Sequence, residues 1–344
     1  MIEIDGSFGE GGGQVLRTSL SLSCVLKKPF RLFNIRKNRR KPGLRPQHLM
    51  CVQALKEITG AKVQGDKKDS AEIVFEPSDV RPGDYFFDIG TAGSTTMLLQ
   101  ALLPPLVFSS HVPSKIVLQG GTHAPFCPTF NYINEVFIPI LKRMGIEIQA
   151  DIETCGFYPR GGGKIRVDVT NLRQIKEMDI LNRGKIKKIT GISAVGNLPL
   201  SIAERQRDAA YRLLRSQGIS PEIEVKEVPT PGKGTFIFLK VVAENIIAGF
   251  SSIGERGKRA EVVGEEAARE LIEYYQSDAC LDPYLADQIV LYLALAGRDS
   301  TFTTSRITNH LITNLWVISR FVDISYKIDG KIGSKGLIKM SGYL

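Results

Sequence analysis

His310 stands where the chain is set to pass from strand to helix. Residues 301 to 305 alternate β-branched and aromatic side chains, and Ile307, Leu311, Leu315 and Ile318 recur at the spacing of one helical face. That spacing predicts a helix carrying His310 in its first turns, beside the buried stripe. There the free N–H groups and the helix dipole favour phosphate oxygens. An imidazole so placed can act as a nucleophile toward phosphorus. Histidines in such places more often only pack, so the reading needs support from other residues.

Two other stretches could handle an anion. Five glycines lie within eight residues from Gly6 to Gly13, after residues 2–5, which read as a short strand, and before an amphipathic run through Leu16, Leu20 and Cys24. Glycines let backbone approach a ligand closely at a helix start. Neither a dinucleotide fingerprint nor a P-loop is written there, because Leu16 falls where a third glycine would be needed and no Gly-x4-Gly-Lys-Ser/Thr occurs. Glu10 and Arg17 flank the loop, a carboxylate that can share a hard cation with phosphates and a guanidinium that can fork onto them. Six cations then crowd into the ten residues from Arg36 to Arg45, bracketed by Pro42, Gly43 and Pro46. Such a run can be a solvated face, but its density and its turn residues point to a polyanion or a terminal phosphate.

The elements that must position these groups repeat. A strand, a glycine-rich turn and a helix occur at residues 2–24, again at Asp88 to Pro104, in part at Leu118 to Met144, and arguably once more around His310. Recurrence at long intervals implies a repeated α/β unit rather than a short-period solenoid. Residues 62 to 88 read as paired strands through Ile73, Phe75, Tyr85 and Phe87. From about 182 to 277 the texture changes to a charge-balanced mixture of strands and helices, with fifteen basic and twelve acidic residues. The expectation is a large domain of residues 1–181 and 278–344 with a small α/β domain, 182–277, inserted into it. With 43% hydrophobic and 24% charged residues, the chain of 344 is globular rather than fibrous or disordered. Residues 1–60 hold eleven Lys or Arg against four Asp or Glu, most of the net charge of +9. No apolar run could span a membrane, and no signal segment opens the chain, so a cytoplasmic protein is expected. Five scattered cysteines suggest buried thiols rather than disulfides or a zinc site.

Glu10-Gly-Gly-Gly-Gln14, Lys41-Pro-Gly43, Gly120-Gly-Thr122, Arg160-Gly-Gly-Gly163, Tyr284-Leu-Ala-Asp-Gln288 and Thr308-Asn-His310-Leu-Ile-Thr-Asn314, in this order, resemble the RNA 3′-terminal phosphate cyclase family. The resemblance spans nearly the whole chain. It implies an α/β (α+β) fold, with a large domain of repeated units, each two helices on a four-stranded sheet, plus the small inserted domain. It also implies an ATP-dependent reaction in which His310 attacks the α-phosphate and releases pyrophosphate. AMP then passes to an RNA 3′-phosphate, and the neighbouring 2′-oxygen displaces it to leave a 2′,3′-cyclic phosphodiester.

The same resemblance assigns Glu10 to a divalent metal, magnesium or manganese, and Arg17, Arg39, Arg40 and Gln47 to phosphates and the RNA end. Gln100, Tyr284, Leu285, Ala286, Asp287 and Gln288 fall to the nucleotide, with Pro128 on the other face of the base. His48 is a candidate contact to the RNA end, His111 reads as surface, and His123 is given no chemistry. RNA with a 3′-phosphate and ATP are the implied partners; a membrane is not, and the oligomeric state, homodimer included, stays open. Two rivals remain. One is the family's noncatalytic branch, which acts in ribosomal RNA maturation; the other is an enolpyruvyl transferase with similar repeats. His310 and the Tyr284–Gln288 segment weigh against the first, and the basic turn against the second.

Overall fold

The computed structural model describes residues 1–108, 112–172, 175 and 180–342; His111 lies outside them. The first unit runs β1 (Ile2–Asp5), α1 (Gly13–Leu26), β2 (Phe30–Phe33), α2 (Pro46–Thr59), β3 (Lys62–Gln64) and β4 (Ile73–Glu76). Its sheet has the order β1-β2-β4-β3, with β1 parallel to β2 and the other pairs antiparallel.

The second unit repeats that plan. It consists of β5 (Asp84–Asp88), α3 (Thr95–Phe108), β6 (Ser114–Gly120), a helix, β7 (Ile146–Thr154) and β8 (Gly163–Leu172), ordered β5-β6-β8-β7 with the same strand senses. Its later helix is built from α4 (Phe130–Tyr132), a π-helical turn (Ile133–Phe137) and α5 (Ile138–Arg143). Tyr85 and Phe87 therefore open this second sheet rather than pairing with Ile73 and Phe75. The alternation shows that each is a strand, but it does not choose the partner.

Next come β9 (Ile186–Gly196), α6 (Leu200–Ser216), β10 (Glu222–Glu227), β11 (Gly234–Ala243), β12 (Ile247–Ile253) and α7 (Ala260–Ser277), a sheet of order β10-β9-β11-β12 under two helices. Successive side chains of a strand face opposite ways. On β11, Ile237 and Leu239 join a separate core with Val263 and Leu271 of α7, while Phe236 and Phe238 pack into the main core.

The chain closes with α8 (Pro283–Leu295), β13 (Ser300–Thr304), α9 (Asn309–Phe321), β14 (Ile324–Asp329) and β15 (Gly336–Gly342), whose strands order as β13-β15-β14. Parallel bridges Ile180↔Phe302 and Leu281↔Thr304 stand where the first strand of this third unit belongs. The β9–α7 segment lies in sequence between those two bridges. The result is a mixed α/β architecture of repeated units, as the sequence implied.

Helix α1 is buried from Val15 to Cys24 because α3 and α9 both pack against it. Phe8, in the loop before α1, stacks on Trp316 of α9 with ring centres 3.9 Å apart. The two ends of the chain are therefore clamped together, and the glycine loop meets the start of α9.

Candidate functional site

Thr308 caps α9. Its hydroxyl accepts from Leu311 N–H at 2.9 Å and donates to Asp287 Oδ1 at 2.5 Å, so one side chain both starts the helix and ties it to α8. His310 is the second residue of α9, half-exposed, and its Nδ1 approaches Glu10 Oε2 to 2.6 Å. The contact is an ion-pair approach without hydrogen-bond alignment, and neither atom has a hydrogen-bond partner among the described residues. Burial pushes the imidazole below its usual pKa; Asp287 opposes that, while Arg17 and Arg39 add to it. A neutral ring follows near pH 7.

Glu10 also pairs with Arg39, and its backbone N–H donates to Thr313 Oγ1 at 3.3 Å. The glycines beside it let functional side chains come close to the backbone. A Cβ on Gly12 would lie 2.3 Å from Glu10 Oε1, and one on Gly13 would lie 2.2 Å from His48 Nε2. The basic turn is braced by Arg36, which donates to the carbonyls of Lys41 and Gly43 at 2.7 and 3.1 Å. It touches the glycine loop through Asn38 and Arg39 and leaves Arg40 exposed. His48 is packed against Gly13, and burial together with Arg17, Arg36 and Arg45 lowers its pKa to about 3.

Arg17 is 6% exposed and donates to Gln14 Oε1 at 2.7 Å. Gln14 in turn donates to Asn314 Oδ1 at 2.8 Å, which also accepts from Thr18 at 2.7 Å, and Asn314 Nδ2 donates to the Asp287 carbonyl at 2.6 Å. This chain of amides cross-links α1, α8 and α9. Gln14, Thr18 and Asn314 escaped assignment from sequence, although Asn314 lies one helical turn after His310 on the same face.

A cavity of about 30 Å3 is lined by Arg17, Gln100, Phe137, Asp287, Gln288 and Tyr292, among others. Gln100 Nε2, Gln288 Oε1 and the Tyr292 hydroxyl are buried without a partner among the described residues. Such groups are costly to leave unsatisfied, so the cavity is a place where a polar ligand gains. In this state it has room for about one water. Asp287 is half-buried in its wall, and desolvation there raises its pKa to about 7 against the Thr308 hydrogen bond and the charge that His310 would carry when protonated.

Other candidates lie outside this lining. Tyr284 donates its hydroxyl to Glu270 Oε1 of α7 at 2.5 Å and meets Tyr132 edge-on at 6.1 Å. Leu285 and Ala286 are fully buried in the core. Pro128 is half-buried, and its carbonyl accepts from Thr96 at 2.7 Å. Gln47 Oε1 accepts from Ser94 N–H at 2.8 Å, at the start of α3. His123 is buried, bonded to Thr122 and Asn131 and stacked on Phe236. Asp282, at the head of the stretch that starts this helix, caps α8 and also accepts from Tyr132 OH at 2.9 Å. Among the described residues no three His, Cys, Asp or Glu side chains converge to hold a metal by themselves, no helix is long and apolar enough to cross a membrane, and the five cysteines form no disulfide.

Fold and site together define an α+β protein of repeated units, with a neutral histidine at a helix start set among arginines and carboxylates. The model of the RNA 3′-terminal phosphate cyclase family matches residues 8–328. The RNA 3′-terminal phosphate cyclase of Sulfolobus acidocaldarius is 45% identical over 96% of this chain and 97% of its own. That of Staphylothermus marinus is 43% identical over 99% and 98%. The chain belongs to the RNA 3′-terminal phosphate cyclase family of enzymes. Among solved structures, EPSP synthase from Acinetobacter baumannii aligns at 12% identity over 98% of this chain and 64% of its own, with a TM-score of 0.30, too loosely to bear on the argument.

Proposed function

We propose that the protein uses ATP to convert an RNA 3′-phosphate into a 2′,3′-cyclic phosphodiester through an adenylyl group carried on His310. What supports this most is the imidazole itself, neutral, at a helix start, with a carboxylate at Nδ1 and arginines around it. A phosphate monoester cannot lose one of its own oxygens to a neighbouring hydroxyl, so it must first be given a leaving group. In the proposed sequence Nε2 attacks the α-phosphorus of ATP and pyrophosphate leaves. The RNA phosphate oxygen then displaces the imidazole to make a pyrophosphate linkage to AMP. The 2′-oxygen attacks the RNA phosphorus, loses its proton and expels AMP. Positioning and charge neutralisation carry most of such transfers.

Arg17, Arg39 and Arg40 would supply cations to the phosphates, and Gln47 would steady the second glycine loop near the RNA end. Gln100 and Gln288 have the free amide atoms that an adenine edge or a ribose needs. The cavity they line would have to widen for the base, between Pro128 and the Tyr284–Asp287 segment. Glu10 Oε2, buried without a hydrogen-bond donor, fits a divalent cation such as magnesium shared with nucleotide oxygens, since magnesium takes few protein ligands beside phosphates. The cation would neutralise phosphate charge. We also infer that 182–277 behaves as an inserted domain on the large one, and that the protein works in the cytoplasm, which suits its thiol cysteines. The test is incubation of an RNA ending in 3′-phosphate with ATP and magnesium. A phosphatase-resistant end is expected; an end that stays phosphatase-sensitive refutes the reading.

A further inference from the structure

Phe126 is 99% exposed, the most uncovered large apolar side chain of the chain's described residues, and its backbone sits at φ +61°. Left-handed backbone is unfavourable for an aromatic residue, and an isolated ring in water gains nothing for folding. Its neighbours show where it stands. Cys127 follows it, with a half-buried thiol that lies within the fields of Ser94 and Arg17. Ser94 N–H is in turn held by Gln47. The Phe126 loop is therefore a rim of the site already described.

A second loop runs beside it. Thr122 and His123 N–H both donate to the Gly156 carbonyl, at 2.9 and 3.1 Å, and His123 bridges to Phe157. Tyr158, the next residue, is 69% exposed. Arg160 and Lys233 are exposed close by, a Cβ on Gly232 falling 3.3 Å from Arg160 Cβ, and neither cation forms an ion pair among the described residues. Uncovered aromatic rings beside unpaired cations, continuous with a phosphate site, match single-stranded nucleic acid: bases stack on the rings while the cations meet the backbone.

We propose that Phe126, with Tyr158, Arg160 and Lys233, forms a stacking platform for unpaired bases of the RNA just upstream of its 3′-phosphate. The inference rests on the chain's taking an RNA end. It adds the surface that would hold the strand while the terminal phosphate reaches the arginines. Because stacking reads no base edge, the platform tolerates any sequence and demands only that the end be single-stranded.

The test measures binding of a short fluorescein-labelled RNA ending in 3′-phosphate, without ATP, to wild type, Phe126→Ala and Phe126→Trp. In Phe126→Ala the affinity should fall about tenfold and the KM for RNA should rise in parallel, with Phe126→Trp restoring both. An RNA abasic near its 3′ end should bind wild type and Phe126→Ala alike. Self-labelling by ATP, in which RNA takes no part, should keep its wild-type rate in Phe126→Ala. Unchanged RNA affinity in Phe126→Ala overturns the platform, and so does a parallel loss of self-labelling, which would give the ring to the nucleotide or to the loop's own fold. RNA binding that depends on Phe126 in a chain that takes no label from ATP supports the platform while refuting the cyclase reading.

Discussion

Glu10 Oε2 lies 2.6 Å from His310 Nδ1, although the two residues belong to opposite ends of the chain. The contact exists because α1 and α9 pack side by side and the glycine loop leads straight into α1. The carboxylate lies against the ring without a hydrogen bond to it.

Replacing that carboxylate tests the role. Glu10→Gln keeps the shape but removes the charge, so the proposed cation ligand and the carboxylate's field at the ring are both lost. Self-labelling by ATP should slow by about 100-fold, in the range that a positioned acid–base group supplies. Single-turnover rates across a magnesium titration measure this; a variant that labels at the wild-type rate removes Glu10 from the mechanism.

The lowered pKa of His310 has a signed consequence. Attack needs the neutral ring, and burial keeps the neutral form dominant to a pH below the ordinary histidine range. The self-labelling rate should therefore be flat from pH 7 upward and fall only on the acid side of about 6.5. Arg39→Ala removes a charge that disfavours protonation, so its inflection should move upward. A wild-type rate that keeps climbing between pH 7 and 8 contradicts the direction of the shift.

Arg40 is exposed on the basic turn, whereas its neighbour Arg39 pairs with Glu10. Arg40→Ala should therefore raise the KM for RNA more than it slows self-labelling, by about tenfold against about twofold, as expected for one lost phosphate contact. Steady-state cyclisation beside single-turnover labelling measures the split; the opposite order would place Arg40 on the nucleotide.

Asp282 offers a stability test away from the chemistry. Burial raises its pKa from 3.8 to about 7, against hydrogen bonds from Leu285, Tyr132, Gly249 and Tyr284. A carboxyl whose folded pKa is raised binds its proton more tightly in the folded state, so the stability linked to it is present at low pH and lost as pH rises through about 7. Relative to Asp282→Asn, wild type should lose stability between about pH 4 and pH 7, by an amount on the order of a few kcal/mol. Urea unfolding of both chains across that range measures it, and a constant difference would show that Asp282 does not titrate there.

Much of the architecture was legible because it depends on local pattern. The glycines before α1 and the apolar stripe of α9 announce both helix starts, and the recurrence of that plan announces the repeats. What was hidden depends on partners remote in sequence. Tyr85 and Phe87 alternate as a strand must, yet nothing local says that β5 joins β6 rather than β4. Strand β12 was not read, since Ile247-Ala-Gly-Phe-Ser-Ser-Ile carries small residues that blur its alternation. Asn314, Gln14 and Thr18 look like ordinary polar residues until three helices meet. Tyr284 could have faced a ligand or a neighbour, and only the position of Glu270 on α7 shows where its hydroxyl goes. The sequence singles out His310 and gives His123 no chemistry, and the fold encloses the His123 ring against Phe236 while leaving the His310 ring half-open beside Glu10 and near Arg17.

That difference between two histidines is the most direct test of the account. Incubation with ATP labelled at the α-phosphate, in magnesium, should leave an acid-labile, base-stable label on wild type and on His123→Ala, and none on His310→Ala. A label that survives in His310→Ala, or no label on wild type, would contradict the adenylyl-histidine mechanism.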